Sequence, residues 1–130
     1  MTMGVSSQVR FLGRVTGPDL PELYKMGSVF VTASEIETQG IVLVEAAASG
    51  LPLVAVDAGA VAEVCKNGEN GYLVKPGDVA SMTGAIYRIL SDRELRKKMS
   101  SKSVEIASEH SLDKTIDKFL EIYNKVCYNR

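Results

Sequence analysis

The stretch that decides the fold is SEIETQGIVLVEAAASGLP, residues 34–52. It joins two short apolar runs rich in β-branched residues, VFVTA (29–33) and PLVAV (52–56), which predict strands. Between them, residues 40–49 are apolar apart from Glu45 and the final Ser49. The three consecutive alanines at 46–48, and Gly50 at the end of the run, favour a buried helix over a third strand. A strand, a helix and a strand in this order predict a βαβ unit with parallel strands.

The same alternation extends in both directions from this unit. Further strands are predicted at 9–13 (VRFLG) and 71–74 (GYLV). Asp19 and Glu22 have the spacing of a capping box, and Asp78 is a second candidate helix cap. The predicted helices cover residues 20–26, 60–65, 79–90, 92–107 and 112–126. This order predicts an α/β fold, a Rossmann-like three-layer α/β/α arrangement with a parallel sheet.

Bulk composition predicts a single globular domain of ordinary type. The chain has 130 residues, with 15 basic and 16 acidic side chains and a net charge of -1, so no nucleic-acid partner is predicted. Residues 1–8 have no apolar stretch and are predicted to be a disordered lead-in to a domain at 9–130. Cys65 and Cys127 lack metal-ligand spacing, and no Asp-x-Asp pair occurs, so we predict a cytoplasmic protein without a metal site. His110 is predicted to lie on the surface.

Two glutamates distinguish the central segment chemically. Glu37 precedes the predicted helix and Glu45 lies within it, with seven residues between them. A carboxylate on a buried apolar helix is costly unless it is hydrogen-bonded, and the vicinal hydroxyls of a ribose would supply two donors. The alternative is that Glu45 pairs with an arginine or reaches solvent.

The start of the same helix is a candidate anion site. In parallel α/β sheets ligands bind beyond the carboxyl ends of the strands, where this helix begins. The backbone amides of Gly40, Ile41 and Val42 are predicted to be free, and with the helix dipole they could hold a diphosphate. Gly40 has no side chain to obstruct the approach.

The segment resembles the signature of a large family of retaining glycosyltransferases, group 1, which includes bacterial glycogen synthases, sucrose synthases and phosphatidylinositol mannosyltransferases. That signature is two glutamates separated by seven residues, then an alanine-rich helix, a glycine and a proline-containing strand; here it reads E-TQGIVLV-E-AAASGLPLVAV. The blocks VRFLGRV, PELYKMG, VFVTAS and NGENGYLVKPGD are similar too, in the same order. The family has the GT-B fold of two Rossmann-like domains, and this chain resembles an incomplete C-terminal domain.

The resemblance implies a function and a set of site residues. The chain is expected to bind a UDP-sugar or GDP-sugar donor and to use no other cofactor, while the parent enzyme transfers a hexose with retention. Glu45 is expected to bind the ribose, and Glu37 is expected to act at the donor sugar as the catalytic residue. The remaining donor-binding residues are Thr38, Gln39, Gly40, Ile41 and Val42 at the diphosphate, and Gly13, Arg14 and Val15 at the base.

Other expectations concern the acceptor and the partners. Most relatives carry an aromatic residue where Gln39 stands, and the ETQG form resembles members that make glycolipids. The acceptor is therefore expected to be a sugar or a lipid, and this form favours a lipid. The basic cluster is a candidate for peripheral membrane contact, or else a solvated helix face; it comprises Arg93, Arg96, Lys97, Lys98 and Lys102.

The truncated sheet carries a structural expectation of its own. In the sheet of the family, two further strands lie between the strands that match 9–13 and 29–33, and these two strands have no counterpart in this sequence. The 29–33 strand is therefore expected to expose an unpaired edge. The last helix is expected to expose its apolar stripe, because in the family the end of the chain returns to the N-terminal domain, which is absent here. Both features favour self-association.

Two alternative functions remain open from the sequence. A nucleotide-sugar epimerase of the same fold would use a similar ribose-binding glutamate. A non-catalytic nucleotide-binding fragment would bind the donor alone, and this chain by itself is expected to be inactive. A dinucleotide-binding Rossmann domain is disfavoured because no G-x-G-x-x-G follows a strand.

Overall fold

The computed structural model describes residues 4–128. Over this range the chain forms three strands and six α-helices, preceded by a single 3-10 turn at Ser6–Gln8. In chain order they are α1 (Asp19–Lys25), β1 (Phe30–Thr32), α2 (Ile41–Ala48), β2 (Leu53–Val56), α3 (Val61–Val64), β3 (Gly71–Val74), α4 (Val79–Ser91), α5 (Arg93–Ser108) and α6 (Leu112–Tyr128).

The three strands form one parallel sheet in the order β1-β2-β3. Phe30 is in register with Leu53, and Leu53 with Gly71. All four residues of the central strand are buried, as expected for a parallel strand covered on both faces. Because the strands are parallel, the loops that follow them lie at the same edge of the sheet.

Alternate residues of β2 point into two separate clusters. Leu53 and Ala55 pack with Leu43 of α2 and Val61 of α3 on one face. Val54 packs with Ile89 of α4 and Met99 of α5 on the other. Helices thus cover both faces, and the predicted three-layer α/β architecture is confirmed.

The helix α5 joins the two layers at the end of the sheet opposite the candidate site. Its residues Met99, Ser103 and Ala107 are buried. The Ser103 hydroxyl donates a hydrogen bond of 2.7 Å to the carbonyl of Leu51, just ahead of β2. A buried hydroxyl needs such a partner, so this bond fixes the position of α5 against the core.

Two predictions about local structure are wrong. Residues 9–13 form no strand; they are exposed, with Phe11 at 94%. A strand requires a neighbour to pair its amides and carbonyls, and no adjacent strand is available to this segment within residues 4–128. The capping box is also absent, because α1 begins at Asp19 after Pro18 with no side-chain cap, and Glu22 instead pairs with Lys25.

The remaining helices and strands occur within one or two residues of their predicted bounds. Asp78 caps α4 as predicted, accepting a 2.9 Å hydrogen bond from the Ser81 amide. Cys65 is buried and Cys127 exposed, both as free thiols, and His110 is exposed as predicted. Residues 1–3 of the predicted lead-in lie outside the described residues.

Two surfaces remain uncovered in this arrangement. Among the residues that the structure describes, β1 pairs with β2 alone and its other edge is unpaired, as predicted. Every residue of α6 is exposed, including its apolar stripe, in which Phe119 is 58% exposed. No helix within residues 4–128 is long and apolar enough to cross a membrane.

Candidate functional site

The loop between β1 and α2 lies at the carboxyl edge of the sheet. The Ser34 hydroxyl donates to the Ile36 carbonyl at 3.0 Å, which tightens the first part of this loop. The Ala60 amide, from the loop after β2, donates a 3.0 Å hydrogen bond to the Glu37 carbonyl. The backbone of Glu37 is therefore held in place by the loop after β2 as well as by the loop between β1 and α2.

Gly59 makes that contact possible, and the sequence pattern does not single it out. Its φ is +54°, and a Cβ atom built there would lie 2.0 Å from the Glu37 carbonyl oxygen. The available signal is a glycine three residues beyond the buried strand β2, at the edge where ligands of such sheets bind. Gly59 is thus part of the support for Glu37.

The carboxylate of Glu37 caps the start of α2. Its Oε1 accepts hydrogen bonds from the amides of Gly40 at 2.8 Å and Gln39 at 3.3 Å. Gly40 is the N-cap residue with φ of +66°, a conformation that favours glycine, so its role is conformational as well as steric. The prediction that the Gly40 amide is free is therefore wrong: the glutamate three residues earlier occupies it.

The next two amides differ from that of Gly40. No hydrogen bond recorded within residues 4–128 engages the amides of Ile41 and Val42. Both side chains are exposed, as are those of the adjacent Thr38 and Gln39. The start of α2 therefore presents two backbone donors in an accessible position, which is what an anion needs.

Glu45 is half-buried on the side of α2 that faces α1. The Tyr24 hydroxyl donates a 3.1 Å hydrogen bond to Glu45 Oε2. This corrects the expectation that only a ligand, an arginine or solvent would satisfy the carboxylate, since the donor is a tyrosine of the preceding helix. The other carboxylate oxygen has no such protein donor within the described residues.

A cavity of about 580 Å³ opens beside this pair. Burial and the neighbouring Glu45 charge raise the pKa of Tyr24 to about 12, so the phenol remains protonated and able to donate at neutral pH. The cavity is lined by Gly17, Leu20, Pro21, Tyr24, Lys25, Glu45, Ala48 and Ser49. It is large enough for a small organic ligand and has one carboxylate in its wall.

The residues predicted to hold the base, 13–15, lie in the segment before α1. Gly13 and Arg14 are exposed and Val15 is half-buried, in a segment without regular structure. None of them lines the 580 Å³ cavity, which begins at Gly17. The structure brings together residues 37–42 and 45, in α2 and in the loop before it.

The basic cluster divides between two sides of α5. Arg96 donates to the carbonyls of Ile89 and Leu90, and Lys102 pairs with Glu105 at 2.8 Å. Arg93, Arg96 and Lys97 line a cleft of about 280 Å³ near Ser28 and Pro52, at the amino ends of β1 and β2. This cleft is at the edge of the sheet opposite Glu37. No group of three or more metal-ligating side chains occurs within residues 4–128.

The described site consists of Glu37 at the start of α2 and Glu45 within the same helix, at the carboxyl edge of a parallel sheet. Comparison with known proteins identifies the family. The family model for glycosyl transferases group 1 matches residues 2–106. The chain belongs to the group 1 glycosyltransferases, as predicted.

Curated relatives agree with this assignment. A sulfoquinovosyl transferase of Arabidopsis thaliana is 41% identical over 90 residues, covering 67% of this chain and 18% of that protein. A D-inositol 3-phosphate glycosyltransferase of Salinispora arenicola is 34% identical over 124 residues, covering 95% of this chain and 28% of its own length. The chain thus spans less than a third of these relatives.

Solved structures confirm the fold class. A sucrose-phosphate synthase of Thermosynechococcus elongatus superposes with a TM-score of 0.84 at 26% identity, covering 97% of this chain and 32% of that one. The HepE protein of Anabaena, solved in complex with UDP-glucose, has a TM-score of 0.79 at 29% identity, covering 91% and 33%. The α/β sheet described above is that of a GT-B glycosyltransferase.

Proposed function

We propose that the chain binds the nucleotide-sugar donor of a glycosyltransferase that transfers a hexose with retention. The observation that carries the proposal concerns the helix α2. Its start is capped by the Glu37 carboxylate and has two amides without a hydrogen-bond partner within residues 4–128, and a second carboxylate, Glu45, lines a cavity further along. Gly40 and Glu45 are five residues apart, about 7.5 Å along a helix axis. Family membership favours transfer over the epimerase alternative.

Each residue near α2 then has a distinct proposed role. The free Oε1 side of Glu45 accepts from the ribose hydroxyls, and the amides of Ile41 and Val42 hold the diphosphate. Thr38 and Gln39 flank the phosphates. Glu37, oriented by the amides that it accepts from, faces the donor sugar through its other carboxylate oxygen.

The base is proposed to approach Gly13, Arg14 and Val15. Support for this role comes from the family resemblance alone, because Gly13 and Arg14 are exposed and none of the three residues lines the cavity beside Glu45. UDP and GDP are therefore both retained as candidate nucleotides.

The proposed reaction exchanges one bond at the anomeric carbon. The bond to the diphosphate oxygen breaks, and a bond to the acceptor hydroxyl oxygen forms on the same face of the sugar. The hydroxyl proton leaves with the released nucleoside diphosphate. Charge that develops on the leaving diphosphate is stabilised by the fixed donors at the start of α2, which is electrostatic catalysis. This chain alone is expected to bind donor without transferring sugar.

Titration calorimetry with UDP and GDP tests the donor role directly. We expect binding with a dissociation constant of about 0.1–1 mM, because the chain supplies ribose and diphosphate contacts but spans under a third of its relatives. Pyrophosphate should bind more weakly, since it lacks a ribose for Glu45. The absence of heat with either nucleotide at millimolar concentration would contradict the proposal.

A lipid acceptor and peripheral membrane contact are the proposed partners of the parent enzyme. The support is the ETQG form at residues 37–40 and the cleft lined by Arg93, Arg96 and Lys97. Cosedimentation with phosphatidylglycerol vesicles should exceed that with phosphatidylcholine vesicles and should fall when Arg93 and Lys97 are replaced by glutamine. Equal cosedimentation with both vesicles would reject membrane contact.

Self-association of this chain is also proposed, as a symmetric dimer. Its support is the exposed apolar stripe of α6 and the unpaired edge of β1. Sedimentation equilibrium should give twice the chain's mass at high concentration. A monomer throughout would reject the proposal.

A further inference from the structure

We propose that Tyr24 is a positioning residue that fixes the Glu45 carboxylate for the ribose of the donor. The inference rests on the proposed nucleotide-sugar binding. It adds a residue from α1, outside the segment between the two glutamates, to the machinery of the site.

The contact that supports this inference joins two different helices. Tyr24 lies at the end of α1 and Glu45 in the middle of α2, 21 residues later, and the phenol oxygen is 3.1 Å from Oε2. A glutamate side chain has several rotamers of similar energy, and one hydrogen bond to a fixed donor selects among them. Oε1 can accept from the ribose hydroxyls in a fixed geometry only if the carboxylate keeps one orientation.

Tyr24 is itself well fixed. Its ring packs against Phe30 of β1, with ring centroids 6.0 Å apart and an angle of 57° between the planes. It also belongs to the set of partly buried residues that pack on the main core cluster. The hydroxyl is therefore presented from a supported ring, so it can orient Glu45 rather than follow it.

The other polar side chains of the cavity wall are engaged elsewhere. The Lys25 ammonium pairs with Glu22 at 2.8 Å, and the Ser49 hydroxyl donates to the backbone carbonyl of Glu45 at 2.9 Å. Among the residues that line this cavity, Tyr24 alone donates to the Glu45 carboxylate. No second donor is in place to substitute for it.

The phenol is protonated over the whole working range of a ligand titration. Burial and the Glu45 charge raise the pKa of Tyr24 to about 12. The effect of removing the hydroxyl should therefore be the same from about pH 6 to pH 9, unlike an effect that depends on a titrating histidine.

The test is Tyr24→Phe, which keeps the ring packed on Phe30 and removes only the hydroxyl. UDP affinity should fall about tenfold, while pyrophosphate affinity stays unchanged. Tyr87→Phe, at an exposed tyrosine of α4, is the matched control and should change neither. With 2′-deoxy-UDP, which presents one ribose hydroxyl fewer, the difference between the native chain and Tyr24→Phe should shrink.

A double variant separates positioning from a general structural effect. If Tyr24 acts through Glu45, then Tyr24→Phe combined with Glu45→Ala should bind UDP as Glu45→Ala does alone. Additive losses, or equal losses for UDP and pyrophosphate, would overturn the inference. Failure of the native chain to bind UDP would instead overturn the proposed function, whereas UDP binding that is unaffected by Tyr24→Phe would overturn the positioning role alone.

Discussion

Replacing Glu45 with alanine is expected to weaken UDP binding by roughly 10- to 100-fold and to leave pyrophosphate binding unchanged. The reason is that the variant loses a charged acceptor in the wall of the 580 Å³ cavity but keeps the amides at the start of α2. Titration calorimetry with the two ligands measures both effects on the same protein.

Two further variants control this experiment. Glu63→Ala removes an equal charge from an exposed position of the short helix α3 and should leave both affinities unchanged. Glu45→Gln keeps an oxygen that can accept from Tyr24 and should lose less affinity than alanine does. Similar losses for UDP and pyrophosphate in Glu45→Ala would show that Glu45 supports the helix rather than the ribose.

Replacing Gly59 with alanine is expected to lower the free energy of unfolding by about 2–4 kcal/mol. The new Cβ atom would lie 2.0 Å from the Glu37 carbonyl oxygen, so the loop before α2 must move and the Ala60–Glu37 hydrogen bond must break. UDP affinity should fall as well, because the displaced loop carries Glu37. Urea unfolding and UDP titration measure the two consequences.

Gly77→Ala is the matched control for Gly59→Ala. Gly77 has a φ of +76°, but a Cβ atom there would meet nothing within 4 Å. It should therefore show only the conformational cost of a left-handed residue, about 1 kcal/mol. If the two variants are equally destabilised, the contact between Gly59 and Glu37 contributes nothing beyond backbone strain.

Most of the fold could be predicted because its elements are specified by local pattern. The strand β2 is a run of apolar residues, and α4 follows an aspartate, Asp78, that caps it. The segment 9–13 has the same kind of composition as a strand, yet it forms none. Strand formation depends on a neighbouring strand, which a local pattern does not report.

The candidate site could be predicted only in part. The pattern in the sequence locates Glu37 and Glu45 on either side of one helix start. It does not reveal that Glu37 occupies the Gly40 amide or that Tyr24 donates to Glu45, because the first depends on loop geometry and the second on the packing of two helices. Gly59 is 22 residues from Glu37 in the sequence, and only the fold brings the two backbones into contact.

The bond from Ser103 to the Leu51 carbonyl also bears on how the chain is made. The two residues are 52 positions apart, and Met99, Ser103 and Ala107 are all buried against earlier parts of the chain. At ordinary rates of translation the ribosome needs about 3 to 10 s to add 52 residues. During that interval the apolar strand β2 has been synthesised but α5 cannot yet cover the core. Val54 of β2 therefore lacks Met99, which packs against it in the folded chain, until α5 has been made.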